Sequence, residues 1–125
     1  AHHPTEINAV LSSVREMYPT QKVLAVFQPH LFSRTRDFAN EFAESLSRFD
    51  EVILLDIYPA REMPIQGITS EWLMNKMTLK NKKLSSKTEL IHNIKQSNAV
   101  IKVVIGAGDI GEMVVDITKE LSYES

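Results

Sequence analysis

No cysteine occurs among the 125 residues, so neither a disulfide framework nor a thiolate metal centre can form, and a reducing compartment is compatible. An excess of either charge is missing too: 14 Lys and Arg stand against 16 Asp and Glu, a net of −2. That gives no overall attraction to nucleic acid or to an anionic membrane, and neither is expected as a partner. No apolar run approaches the roughly 18 residues of a spanning helix, and no charged-then-apolar leader precedes the first helical pattern. The expectation is a cytoplasmic, soluble domain. No G-x-x-x-x-G-K-[ST] text is present, so any ATP must be held by another domain. An initiator Met is also lacking, and the opening Ala1-His2-His3-Pro4-Thr5-Glu6 reads as a piece of something longer.

What the chain does have is enough for one domain, since a chain of this size buries roughly two thirds of its unfolded surface in a single core. Pro4 suits a first helical turn, and Ile7, Val10, Leu11, Val14 and Met17 predict a helix over 4–17 that Pro19 ends. Val23 to Phe27 is an uninterrupted apolar run, as for a strand buried on both faces. Phe38, Phe42, Leu46 and Phe49 predict one amphipathic helix ending near Asp50, and 51–56 a second strand. The segment 57–68 carries Pro59, Pro64 and Gly67 and reads as loop. Thr69 or Ser70 then caps a helix containing Trp72, Leu73, Met74 and Met77, which are read as core. After a basic turn at 80–83 come a short strand at 83–85 and a helix capped by Ser86, with Glu89 in the capping-box position. A strand at 99–105, a tight turn at 106–109 and a helix at 110–121 complete the series. Strands alternating with helices predict an α/β fold, a Rossmann-like open and mostly parallel sheet with helices on both faces in a single domain. There is no internal repeat or low-complexity tract.

The chemistry gathers where strands stop. Phe27-Gln28-Pro29-His30-Leu31-Phe32-Ser33-Arg34-Thr35 joins the first strand to a helix, at the carboxyl end of the sheet where open α/β folds bind ligands. Ser33 can cap that helix. Arg34 and Arg36 in its first turns oppose the helix dipole by a few tenths of a kcal/mol each, which favours an anion partner for at least one of them. Asp56, Tyr58 and Glu62 follow the second strand and should emerge at the same edge. His2, His3 and His30 are not read as a metal site, because adjacent side chains rarely converge on one ion and no H-x-x-x-H pair accompanies them. Gly106-Ala107-Gly108-Asp109-Ile110-Gly111 matches the dinucleotide fingerprint, yet only 14 residues follow Gly111, too few for the acid the fingerprint requires. It is read as a packing turn, with Gly106, Gly108 and Asp109 facing a phosphate held by a neighbouring domain.

Taken together, Ala1-His2-His3-Pro4-Thr5-Glu6-Ile7, Phe27-Gln28-Pro29-His30 with Ser33-Arg34-Thr35, Asp56-Ile57-Tyr58-Pro59-Ala60 with Glu62, and Gly106-Ala107-Gly108-Asp109-Ile110 resemble the C-terminal domain of the Mur ligases of peptidoglycan synthesis, in the branch that adds L-alanine. The resemblance spans essentially the whole chain. It implies a three-domain ligase whose missing N-terminal and central domains hold UDP-N-acetylmuramate and ATP with Mg2+, while this domain receives L-alanine. ATP phosphorylates the muramoyl carboxylate, the alanine amine attacks the acyl phosphate, and phosphate leaves. His2, His30 and Arg34 would then face the amino acid, with His3, Ser33, Tyr58, Arg61 and Glu62 in support. The fragment alone is expected to bind no cofactor and to be inactive. Two departures are visible: Leu31 stands where many members have Arg, and Arg61 where they have Gly, so Arg61 is expected to substitute in part. Two other readings stay open here. One is the related ligase that adds a recycled tripeptide, which usually lacks the Phe-Gln-Pro-His text; the other is a free-standing nucleotide-binding module using the Gly106–Gly111 turn.

Overall fold

The computed structural model describes residues 3–106. Its centre is β1 (Val23–Phe27), every residue of which is buried, as expected of five successive apolar side chains with a layer on each face. β2 (Glu51–Leu54) lies parallel on one side and β4 (Ile101–Ile105) parallel on the other, while β3 (Lys82–Leu84) lies parallel against β2. The order β3-β2-β1-β4 makes a four-stranded sheet that is parallel throughout. The α/β reading holds.

Alternate side chains of each strand serve opposite faces. On one face Val23, Ala25, Phe27, Val52 and Leu54 meet α1 (Pro4–Met17) through Ile7 and Leu11, α3 (Ala39–Leu46) through Phe42, Ala43 and Leu46, and α4 (Ser70–Met74) through Leu73. On the other face Leu24, Val26, Ile53 and Leu55 meet Leu90 and Ile94 of α5 (Leu90–Lys95). Helices on both faces are therefore observed. Trp72 and Met74 are half-buried against the first cluster and Met77 lies within it, in keeping with a packing role.

One predicted helix is two. The segment after β1 folds as α2 (Phe32–Asp37) and α3, broken at Phe38, whose φ of −115° and ψ of 21° leave the helical region. Helical spacing of Phe38 and Phe42 carries no sign of the break, because hydrogen bonds from Phe38 N–H to the Arg34 carbonyl and from Phe42 N–H to the Phe38 carbonyl persist across it. At the break the Phe38 ring meets the His3 ring edge-on at 4.9 Å and the Phe42 ring at 6.4 Å. α3 also ends at Leu46, and Phe49 is buried in the turn beyond it. At α5 the Ser86 hydroxyl accepts from Glu89 N–H at 3.3 Å, but it caps a preceding turn, and the helix proper starts at Leu90. Thr69 is the cap of α4, accepting from Trp72 N–H at 3.0 Å.

Asp50 locks the amino-terminal edge of the sheet. Its carboxylate accepts from Val23 N–H at 2.7 Å and from Arg15 at 3.0 Å, while its own N–H donates to the Val23 carbonyl at 3.1 Å. Burial raises the Asp50 pKa, but the Val23 N–H and the Arg15 guanidinium outweigh it and hold the carboxyl below its ordinary range. With that edge fixed, the opposite edge is free to carry loops. There the chain steps from β1 to β2 to β3 and then crosses back to place β4 beyond β1, so the strand order reverses beside β1. In an open parallel sheet that reversal marks where ligands bind, outside the carboxyl ends of the strands.

Candidate functional site

The loops leaving β1 and β2 are stitched together by backbone. Tyr58 N–H donates to the Pro29 carbonyl and Leu31 N–H to the Tyr58 carbonyl, both at 2.8 Å, which pairs His30 with Tyr58 as an isolated parallel bridge. Their rings stack at 5.8 Å and 16°. The predicted meeting of His30 with the Tyr58 loop thus has a definite geometry.

To continue from this bridge into α2 the backbone must turn sharply, and Leu31 does so at φ 73° and ψ 136°. A non-glycine residue there is strained by about 1–3 kcal/mol, which the surrounding bonds must offset. Those bonds are the Leu31 N–H to Tyr58 and the Leu31 carbonyl, which accepts from Thr35 N–H at 3.1 Å and from the Thr35 hydroxyl at 2.8 Å. Leu31 therefore acts here through its backbone.

The turn presents Arg34 one helical step beyond His30, and Nη1 of Arg34 lies 3.3 Å from Nδ1 of His30. Guanidinium can only donate, so Nδ1 is the acceptor and the ring proton resides on Nε2. Both residues are half-buried. Among the described residues Arg34 forms no ion pair, whereas Arg36 pairs with Asp37 at 2.9 Å.

Ser33 is not the cap of α2. It sits in the first turn and is itself capped: its N–H donates to Glu62 at 3.1 Å and its hydroxyl donates to the other Glu62 oxygen. Leu31 holds the N-cap position and has no side-chain oxygen to offer. The Ser33 hydroxyl, the Ser33 N–H, the Phe32 N–H and, least, the Arg36 charge hold the Glu62 carboxyl below its ordinary range against some desolvation. Because α2 ends at Asp37, Arg34 and Arg36 fall in its last turn, where cations suit the helix dipole, so the expected opposition to the dipole does not arise and gives no reason of its own for an anion partner. Ala60, at φ 53°, and the 2.8 Å bond from Glu62 N–H to the Pro59 carbonyl turn this loop back toward α2, leaving Arg61 exposed.

His3 lies elsewhere. It caps α1, its Nδ1 accepting from Thr5 N–H at 3.2 Å, and its ring packs on Phe38. Gly106 follows β4, while His2, Gly108 and Asp109, like the predicted last helix, lie outside the described residues. Among the described residues no group of three or more His, Cys, Asp or Glu side chains is placed to hold a metal ion, and no helix is long and apolar enough to cross a membrane.

Gln28 stands in the Phe27–Thr35 stretch, but the sequence assigns it no role. It is 5% exposed, its N–H donates to the Ile105 carbonyl at 3.1 Å, and its Nε2 donates to the Asp56 carbonyl at 3.3 Å, tying β1 to both neighbours. Its Oε1 is buried with no partner among the described residues. The available signal was an amide directly after a fully apolar strand, where burial forces a polar group to find partners.

Comparison with known proteins fits this geometry to a lineage. Residues 1–115 match the family model described as "Mur ligase, glutamate ligase domain". A UDP-N-acetylmuramate–L-alanine ligase of Flavobacterium psychrophilum is 71% identical over 121 residues, covering 97% of this chain and 27% of that protein. One from Christiangramia forsetii is 62% identical over 125 residues, 100% of this chain and 28% of that protein. The chain thus spans little more than a quarter of the length of these relatives. Among solved structures, a domain from a UDP-N-acetylmuramate:L-alanyl-γ-D-glutamyl-diaminopimelate ligase of Haemophilus ducreyi superposes with a TM-score of 0.60 at 28% identity, over 97% of this chain and 85% of that one. The UDP-N-acetylmuramate–alanine ligase of Thermotoga maritima shares the fold, with a TM-score of 0.68 at 22% identity over 100% of this chain and 26% of that one. With a family match over nearly its full length, the chain belongs to the Mur ligase family.

Proposed function

We propose that this chain is the amino-acid-receiving domain of a three-domain, ATP-dependent cytoplasmic ligase that joins L-alanine to UDP-N-acetylmuramate. The observation that carries the reading is Arg34: a half-buried guanidinium at the carboxyl edge of the sheet, braced by His30 and without an acidic partner among the described residues. A planar fork of donors suits a carboxylate, and the names of the relatives supply L-alanine as its owner. With its proton on Nε2, His30 can donate a hydrogen bond to the amino acid or to charge developing on oxygen. Tyr58 limits the tilt of that ring by stacking on it.

The described residues do not fit a nucleoside triphosphate or its Mg2+, since they offer neither a P-loop nor a ligand cluster. Both are assigned to the rest of the protein, where ATP would supply an activated muramoyl carboxyl group. The contribution of this domain is positional: it fixes the carboxylate of the amino acid so that its amine can reach that group. The tripeptide-adding alternative is disfavoured by the names of the 71% and 62% identical relatives. Phosphate release by the full-length protein, given UDP-N-acetylmuramate and ATP with L-alanine or with the tripeptide, decides between them. Turnover with L-alanine is expected, and turnover with the tripeptide alone would overturn the assignment.

A further inference from the structure

We infer that Glu62 is a positioning residue of the amino-acid site: from the loop after β2 it caps α2 and so fixes the direction in which His30 and Arg34 face the substrate. This rests on the reading of that site given above.

A helix of six residues has no ladder of its own to spare, and its first N–H groups need acceptors. Most helices find one in their own N-cap side chain. α2 has Leu31 at that position, in a strained conformation and without an oxygen to offer. The missing acceptor arrives from 29 residues further along the chain, where Glu62 takes both the Ser33 N–H and the Ser33 hydroxyl. A carboxylate suits this place because the amino-terminal end of a helix is electropositive and Arg36 adds to the local field. The next residue after Ser33 is Arg34, so the rotation of the first turn sets where the guanidinium points. The two bonds at the Tyr58 bridge hold the other end of the loop. The loop after β1 is thus fastened to the loop after β2 on both sides of Leu31, and removing Glu62 releases one side.

The test uses the full-length enzyme. Glu62→Ala is expected to raise the KM for the amino acid about ten- to a hundredfold with a smaller change in kcat, and to leave the KM values for ATP and UDP-N-acetylmuramate unaltered, because displacement by about 1 Å degrades orientation at that site alone. Glu62→Gln keeps an acceptor oxygen at the same reach and is expected to return the amino-acid KM to within about threefold of wild type. Ser33→Ala, which removes only the hydroxyl donor, gives the same split in weaker form and serves if Glu62→Ala does not fold. The prediction concerns whichever amine the wild-type enzyme accepts, so a substrate other than L-alanine would correct the assignment above without touching this inference. An amino-acid KM unchanged in both Glu62→Ala and Ser33→Ala, or all three KM values raised alike, would overturn it. Amide exchange provides a readout independent of turnover: Glu62→Ala should speed exchange at Ser33 selectively, and unchanged exchange there would also refute the cap.

Discussion

Replacing Leu31 by Gly and, separately, by Ala isolates the backbone strain at the turn into the site. Both variants remove the same half-buried side chain beyond Cβ, so its packing cancels in the comparison. In an ordinary helix or strand Ala is the more stable of the two by about 0.5–1 kcal/mol. At φ 73° and ψ 136° the Cβ of Ala keeps the strain of about 1–3 kcal/mol that Gly escapes. The net expectation reverses the usual order, with Leu31→Gly more stable than Leu31→Ala by roughly 0.5–2 kcal/mol. Urea unfolding of the 125-residue chain reads this directly: with an m-value of about 2 kcal/mol/M, each kcal/mol moves the midpoint by about 0.5 M. The slopes should agree, since both variants expose the same surface. An Ala variant at least as stable as the Gly variant would refute the strain, and with it the claim that the turn is held open by its bonds to Tyr58 and Thr35.

Two further outcomes can be checked on the same chain. Gln28→Leu is expected to change stability by less than about 1 kcal/mol, because losing one hydrogen bond to Asp56 is offset by removing a buried oxygen that has no partner among the described residues; a loss above about 3 kcal/mol would mean that Oε1 is satisfied in solution. Asp50→Asn should cost about 1 kcal/mol at pH 7, a modest figure because the Arg15 pair is a third exposed. Since folding lowers the Asp50 pKa, its contribution is complete above the unfolded carboxylate value near 4 and fades as pH falls through the lower folded value. The stability difference between wild type and Asp50→Asn should therefore be constant from pH 7 to about 5 and shrink below about 4. A difference that grew on acidification would contradict the lock at the sheet edge.

The strands were legible because burial on both faces demands unbroken apolar text: Val23–Phe27 follows the written pattern, while Glu51–Leu54 stops two residues short of the predicted 51–56. Helical periodicity located α1 to its terminal residues. It failed at Phe38 because periodicity records which face is apolar and is blind to a break that leaves that face in place. His30, Arg34, Tyr58 and Glu62 were legible as a group because all follow strand ends that a parallel sheet brings to one edge. Their roles were less so. Ser33 has the chemistry of a cap, and only the placement of Glu62 makes it the capped residue. The conformation of Leu31 was hidden altogether, because a leucine in text announces a side chain and gives no sign of a positive φ.

The central claim is that Arg34 holds the carboxylate of the incoming amino acid. Its most direct test is the KM for L-alanine of full-length enzyme carrying Arg34→Ala. A hydrogen bond to a charged group is worth about 1.5–3 kcal/mol, so that KM should rise about ten- to a hundredfold while those for ATP and UDP-N-acetylmuramate stay within about twofold. An unchanged KM for L-alanine would show that the carboxylate is held elsewhere.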